Sequence, residues 1–485
     1  MYLVIEFLIL FITLYKKTFE VVIRSLNYQI VKSKKMTFEL TQEYLDQLKE
    51  AIADTNEQFV KSRVEELLPQ DIASILFELD VKEAKYIFSL FENKQQADII
   101  SELDESFRIE FLEQFSSDEI AEYIKQIDTD DAADILNEQE DAEAIIGLIG
   151  NKDEEKAKDI KDLLHYDHDC AGGLMQKELL RANLNWSVEK CVEEMRIQSR
   201  KVGKIFSVYV VDDNNKLLGR VSIKKMLLAE ETALISDIYA SDLISVDANM
   251  KAEEVADLMQ KYDLVAVPVI NIQGKLLGRI TIDDIVDVIT EKAEMDMQAM
   301  SGITAQVEED DSVWTLTKSR LPWLLIGMMG GMMGAKFMGL YENIISVIPA
   351  MAFFIPLITA TGGNVGIQAS SLIVQSLARD NYYNDFSFYR MSKGFLVALI
   401  NGIAIAAIVF GFNFLLGQDL KLSLVVSIAL FSVVILSSFL GTVTPLILDR
   451  FGINPAVASG PFITTMNDLL GLAIYFAVAG YLYDI

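Results

Sequence analysis

The chain has 485 residues, of which 51% are hydrophobic, and yet it carries a formal charge of −29. One soluble domain rarely combines the two, so charge and apolar residues must be segregated along the chain. The excess of carboxylates repels phosphate backbones, which argues against a nucleic-acid partner, and it attracts cations, hard divalent ions first.

The apolar stretch at the start, "YLVIEFLILFITLY", is interrupted by Glu6, closes on Lys16 and Lys17, and is short for a membrane span. Residues 1–35 therefore read as an extension, either a weak signal or a misassigned start, with a coherent acidic helical pattern beginning at Met36. Residues 36–320 hold 62 acids against 30 Lys plus Arg, a net of −32, whereas residues 321–485 hold 7 acids and 6 bases. An acidic soluble region is followed by a membrane region. The only cysteines, Cys170 and Cys191, have no paired spacing, so neither a disulfide framework nor a zinc site is supported. His165 and His168 are the only imidazoles, which disfavours histidine-based zinc or copper chemistry.

Three segments align without a gap at a period of 24 residues: Ala73 to Asp80 (ASILFELD), Ala97 to Asp104 (ADIISELD) and Ala121 to Asp128 (AEYIKQID). Apolar positions recur at helical spacing and each Asp marks a helix end, so one repeat holds two short helices. Residues 36–165 are expected to form an all-α superhelix, a stack whose neighbours make one another's core. After "YDHDCAGGLM" the texture turns β-rich. "IFSVYVVDDNNKLLGRVSIKKML" (Ile205 to Leu227) is echoed by "LVAVPVINIQGKLLGRITIDDIV" (Leu264 to Val286), with "KLLGR" repeated 59 residues apart. Each copy reads as strand, polar turn, strand and helix. This α+β pattern resembles a tandem pair of CBS domains over residues 166–290, modules that often bind adenine nucleotides. In nucleotide-binding members a Ser/Thr-x-x-Asp step after the last strand holds the ribose, and the second copy keeps it as Thr281 and Asp284. The first copy has Ser222 followed by Lys225, so its ribose acid is missing and ATP binding stays open.

Five apolar segments follow, about 321–340, 344–377, 394–416, 422–448 and 455–483. "TATGGNVGIQ" is expected to interrupt the second, since two glycines inside lipid are tolerated where freed carbonyls line protein or water. "GMMGGMMG" in the first puts Gly327 with Gly331 and Gly330 with Gly334 at a spacing that permits close helix contact, within one subunit or between two. Lys318 and Arg320 precede the first segment, Arg379, Arg390 and Lys393 lie between the second and third, and Arg450 follows the fourth, so these points belong in the cytoplasm and the C-terminus outside. The fifth segment carries Asp468, at a cost of about 2.5–3.5 kcal/mol even on an insertion scale. With the glycine pair, this acid points to a hydrophilic path.

"RLPWLL", "PLITATGGNVGIQASSLIVQSLA" and "PFITTMNDLLGLAIYFAVAGYL" resemble the MgtE family of magnesium channels or transporters, as does the order of helical domain, CBS pair, connecting helix and five spans over residues 36–485. The resemblance implies a multidomain membrane protein of the cytoplasmic membrane, with a connecting or plug helix over 291–319, an α-helical transmembrane pore domain of five spans over 320–485, and a homodimer with one pore in the bilayer. It implies that Asp468 is the ion-selecting acid, with Asn364 of the Gly362-Gly363-Asn364 step nearby and Thr464 one turn before Asp468 at the same mouth. Two such acids on a two-fold axis suit Mg2+, which dehydrates reluctantly and prefers few carboxylates plus retained waters. Regulatory Mg2+ would bridge acids between cytoplasmic domains, and matched by motif these are Asp130 and Asp134 in the helical domain, Glu253 and Asp263 in the CBS pair, and Asp284, Asp287 and Asp296 towards the connecting helix. The chain departs from family members that carry acids at Lys292 and Met295. The leading reading is a Mg2+-selective channel or transporter gated by Mg2+. A broader Co2+ or Mn2+ carrier and a membrane-anchored Mg2+ or nucleotide sensor are the alternatives. An enzyme is least expected, since no P-loop, Rossmann glycines or nucleophile with a paired base occurs.

Overall fold

The fold is given by a computed structural model, which describes residues 38–199, 202–304, 307–308, 311–379 and 388–484. The N-terminal apolar stretch and Met36 lie outside the described residues. The chain divides into two compact units: residues up to 255 with 264–281, and residues 256–263 with everything from 282 onward.

Among the described residues the first unit opens with ten helices: α1 (Gln42–Ala53), α2 (Glu57–Val64), α3 (Pro69–Phe77), α4 (Val81–Phe88), α5 (Asn93–Ser101), α6 (Glu105–Leu112), α7 (Ser117–Ile124), α8 (Thr129–Asn137), α9 (Ala142–Gly150) and α10 (Glu154–Leu163). The starts of α3, α5 and α7 and those of α4, α6 and α8 are each spaced by the 24-residue period seen in the sequence, so the period is that of a helix pair. The repeated Asp80, Asp104 and Asp128 precede the second helix of each pair as its N-cap. The carboxylates of Asp80 and Asp104 accept from the Lys82 and Ser106 amides at 2.9 and 3.0 Å, which satisfies amides that have no helical partner. Stacking seals a core in which Phe88 meets Phe111 edge-on at 5.2 Å.

Two CBS-type layers follow: β1 (Leu180–Asn183), α11 (Val188–Gln198), β2 (Val208–Val211), β3 (Leu217–Val221) and α12 (Ile223–Leu228), then α13 (Ile235–Ile238), β4 (Val246–Asp247), α14 (Ala252–Lys261), β5 (Ala266–Ile270) and β6 (Leu276–Thr281). Each sheet of three strands joins a parallel pair to an antiparallel hairpin. The hairpin turns hold Asn215 at φ 62° and Gly274 at φ 77°, equivalent positions of the two copies, where only residues tolerant of the left-handed region fit. The turns also clasp each other: the Leu217 amide donates to the Gly274 carbonyl at 2.9 Å, and the Leu276 amide to that of Asn215 at 3.0 Å.

The second unit contains α15 (Ile282–Met300), which stops near Gly302 at φ 79°, then α16 (Val313–Gly339), α17 (Glu342–Val347), a 3-10 turn at Pro349–Phe354, α18 (Ile355–Arg379), α19 (Phe388–Leu415), α20 (Leu420–Arg450), a second 3-10 turn at Pro455–Ser459, and α21 (Pro461–Tyr483). Five of its helical segments are long and apolar enough to cross a membrane. Helix α20 is central, with Val425, Val426, Ala429, Leu430 and Val433 buried against Met351, Ile358, Tyr475 and Phe476. The 3-10 turn frees carbonyls, and the buried Tyr475 hydroxyl donates to that of Met351 at 3.0 Å.

Candidate functional site

The inward stripe of α21, Ile463, Asn467, Gly471, Leu472, Tyr475, Phe476 and Ala479, recurs at helical spacing and fixes which side of that helix faces its neighbours. Asp468 is the next residue round the helix and is half-buried, and among the described residues it makes no hydrogen bond or ion pair. Thr464 lies one turn before it, with its hydroxyl directed at the Gly460 carbonyl at 3.4 Å. A Cβ on Gly363 would stand 3.5 Å from the Thr464 methyl, so α18 and α21 touch here, while Asn364 beside it is exposed. The structure thus brings Thr464 to the glycine pair and leaves Asp468 and Asn364 with open surface.

The expected interruption at Gly362-Gly363-Asn364 is corrected: α18 runs unbroken from Ile355 to Arg379, and the irregular backbone precedes it at Pro349–Phe354. The glycines serve proximity instead. A Cβ on Gly362 would lie 2.9 Å from a Val433 methyl and 3.3 Å from the Ser437 hydroxyl, and one on Gly366 would overlap the Asn467 amide. Of the first span's glycines, Gly330 presses on the Thr465 side chain of α21, whereas Gly327 and Gly331 face open space.

The end of α15 bears on the start of α21. The Asn454 amide donates to Asp296 at 2.8 Å, and a Cβ on Gly460 would stand 2.8 Å from the Met300 carbonyl. Asp284 is half-buried and Asp287 exposed on the first turns of α15. Glu253 opens α14, and the exposed Asp263 follows it at φ 50°. In the helical domain Asp134 pairs with His168 Nδ1 at 3.1 Å, and Asp130, 7% exposed, accepts from Gln176 at 3.2 Å. Among the described residues no three His, Cys, Asp or Glu side chains cluster closely enough to hold a metal ion.

For a nucleotide, Thr281 is buried at the end of β6, with Asp284 one turn into α15. Ser222 has a local role, its hydroxyl capping α12 through the Lys225 amide at 3.2 Å. Residues that the sequence did not single out link the helical domain to the CBS layers. Arg279 forks to Gln176 Oε1 at 3.1 and 2.8 Å, and Thr129 donates to Glu178 at 2.7 Å. Burial raises the Glu178 carboxyl above its ordinary range, with the Thr129 hydrogen bond and Lys156 pulling the other way. Asn467 was also missed. The only signal for it was a second polar residue next to Asp468 in an apolar window.

A family model described as "Divalent cation transporter" matches residues 355–478, one described as "MgtE intracellular N domain" matches 67–169, and CBS-domain models match 171–231 and 235–291. The chain is 33% identical over 329 residues to the magnesium transporter MgtE of Enterococcus faecalis, covering 67% of this chain and 72% of that one. It is 28% identical to the magnesium transporter MgtE of Thermus thermophilus, over 90% of this chain and 98% of the relative. Among solved structures, a crystal structure of the cytosolic domain of the Mg2+ channel MgtE in complex with ATP matches at 27% identity and a TM-score of 0.47, over 50% of this chain and 99% of that one.

Proposed function

The chain belongs to the MgtE family of divalent cation transporters, and from that membership we propose that it carries Mg2+ across the cytoplasmic membrane along a path whose selecting acid is Asp468. The observation that carries this reading is a half-buried carboxylate on an apolar helix, with no protein partner among the described residues and open surface beside it. A simple anchor gains nothing from such a group. A divalent cation repays its cost. In a homodimer two Asp468 carboxylates would face one ion, enough charge to attract hydrated Mg2+ without the tight grip that would stop conduction. Asn364 and Thr464 would line the same mouth, and Gly362 and Gly363 let the helices approach.

Control would come from the cytoplasmic acids. Repulsion among Asp130, Asp134, Glu253, Asp263, Asp284, Asp287 and Asp296 separates domains at low Mg2+, and bound Mg2+ bridging them favours the compact state by population shift. Among the described residues no three such side chains cluster, and the bridging proposed here would draw on acids from a second subunit. The contact of Met300 and Asp296 with Gly460 and Asn454 supports a route by which α15 acts on α21. Contact between residues that precede the first span and residues that follow the fourth is in keeping with a cytoplasmic soluble half and an external C-terminus. ATP, if it modulates the protein, would use Thr281 and Asp284, Ser222 being engaged as a helix cap.

The test is Mg2+ uptake into proteoliposomes under an imposed gradient. Wild-type flux that collapses in Asp468→Asn is expected. Equal flux in both would remove Asp468 from the path, no flux in either from folded, Mg2+-binding protein would favour a sensor, and equal uptake of Co2+ or Mn2+ a broader carrier.

A further inference from the structure

Asn467 is 1% exposed where α18, α20 and α21 meet. The room for it comes from a missing side chain: a Cβ on Gly366 would overlap its amide nitrogen and stand 2.7 Å from the Ile463 methyl. The neighbouring Ser437 is 2% exposed. Neither Nδ2 nor Oδ1 of Asn467 has a hydrogen-bond partner among the described residues. A buried amide without partners destabilises a fold, and leucine, of similar shape, would fill the junction without that penalty. Packing therefore does not account for the carboxamide, which can both donate and accept. Its place in the chain is telling, because successive residues of a helix point about 100° apart, so Asn467 turned into the junction sets Asp468 on the flank that Thr464 shares.

We infer that Asn467 is a positioning residue for Asp468, its carboxamide holding an ordered water inside the junction and so fixing the rotation of α21 at which the carboxylate selects. The ion stays on Asp468, and Asn467 acts through it. Mg2+ keeps several of its waters in protein sites, so selection depends on where the Asp468 carboxylate stands against the hydrate, and the rotation of α21 sets that position. The inference rests on the ion path proposed above.

Full-length protein in proteoliposomes is assayed for Mg2+ uptake, alone and against Ca2+, beside its thermal midpoint in detergent. Asn467→Leu is expected to keep or raise the midpoint while lowering the preference for Mg2+ over Ca2+ and raising KM, each by about threefold to twentyfold, the span of one hydrogen bond within a membrane protein. Asn467→Ser, smaller but still polar, recovers part of that loss. Wild-type KM and preference in Asn467→Leu overturn the inference; if that variant does not fold, wild-type values in Asn467→Ser overturn it and shifted ones support it. Asp468→Asn in parallel separates the two levels. Unchanged flux there removes the ion path itself, whereas collapsed flux there with unaltered Asn467 variants removes only the inference.

Discussion

Arg220 and Arg279 end the two copies of "KLLGR", and their substitution by alanine should have very different consequences. Arg279 is 3% exposed, and its guanidinium donates to Gln176 Oε1 at 3.1 and 2.8 Å and to the Lys204 carbonyl at 3.0 Å, with the Phe206 ring 5.4 Å away. Gln176 in turn donates to Asp130, so the fork is the middle of a chain of hydrogen bonds into the helical domain. Arg279→Ala strips two acceptors of their donors and opens a void, a loss of about 3 kcal/mol for a buried charge-assisted arrangement. Arg220 is exposed, and its removal should stay within about 0.5 kcal/mol. Arg279→Lys should lie nearer the alanine variant than wild type, because one ammonium cannot reproduce a planar fork. Hydrogen exchange of the full chain in detergent reads this directly: the slowest amides of β5 and β6 should exchange roughly a hundredfold faster in Arg279→Ala. Equal exchange in the two alanine variants would refute the claim that the twin arginines have diverged into one structural and one surface residue.

Gly366→Ala should lower the thermal midpoint by overpacking worth about 1–3 kcal/mol, since its Cβ meets Asn467 and Ile463. Gly411→Ala, with nothing within 4 Å, should hold or gain up to about 1 kcal/mol, and matched midpoints for the two would discount the close junction. Stability should respond to pH through Glu178: its folded pKa is raised, so between the ordinary carboxylate range and that raised value the folded chain binds more protons than the unfolded one. Stability from this group therefore falls as pH rises through that window, and a melting series from about pH 7 to about pH 4 should show a shallower slope in Glu178→Gln.

Much of this was legible in the sequence because repetition carries its own register. The 24-residue period located the helix pairs, but the expectation that Asp80, Asp104 and Asp128 end a helix is corrected, since each begins the second helix of its pair as the N-cap. The paired "KLLGR" runs became β3 and β6, but identical letters hid opposite burial of their arginines, because burial depends on what packs beside each copy, and Gln176, Lys204 and Phe206 surround Arg279 alone. The glycine pair was misread for a related reason. A helix that breaks and a helix that admits a close neighbour both call for a residue without Cβ, and only the positions of Val433, Ser437 and Thr464 decide between them. Asn467 escaped notice because a neutral amide beside a carboxylate draws no attention until it is known to be buried without a hydrogen-bond partner.

The exposed flank of the membrane unit supplies the last step. Helices that face lipid alone can be apolar throughout, and Leu324, Met328, Ile400 and Phe412 are exposed in that way. Asn364 and Asp468 differ: they are polar and partly or wholly exposed, and they follow Gly363 and Thr464, which touch, on their own helices. Lipid would leave a carboxylate and an amide there unsatisfied, at roughly 2–7 kcal/mol for the amide and more for the ionised carboxylate. In the homodimer proposed above, a second copy presenting the same flank across a two-fold axis would remove that cost, because the shared polar surface would then enclose water and cation rather than meet acyl chains. Gly327 and Gly331, bare on the first span, allow such an approach at short range. On this argument the acid that makes the fifth span costly is also what makes two copies worth assembling.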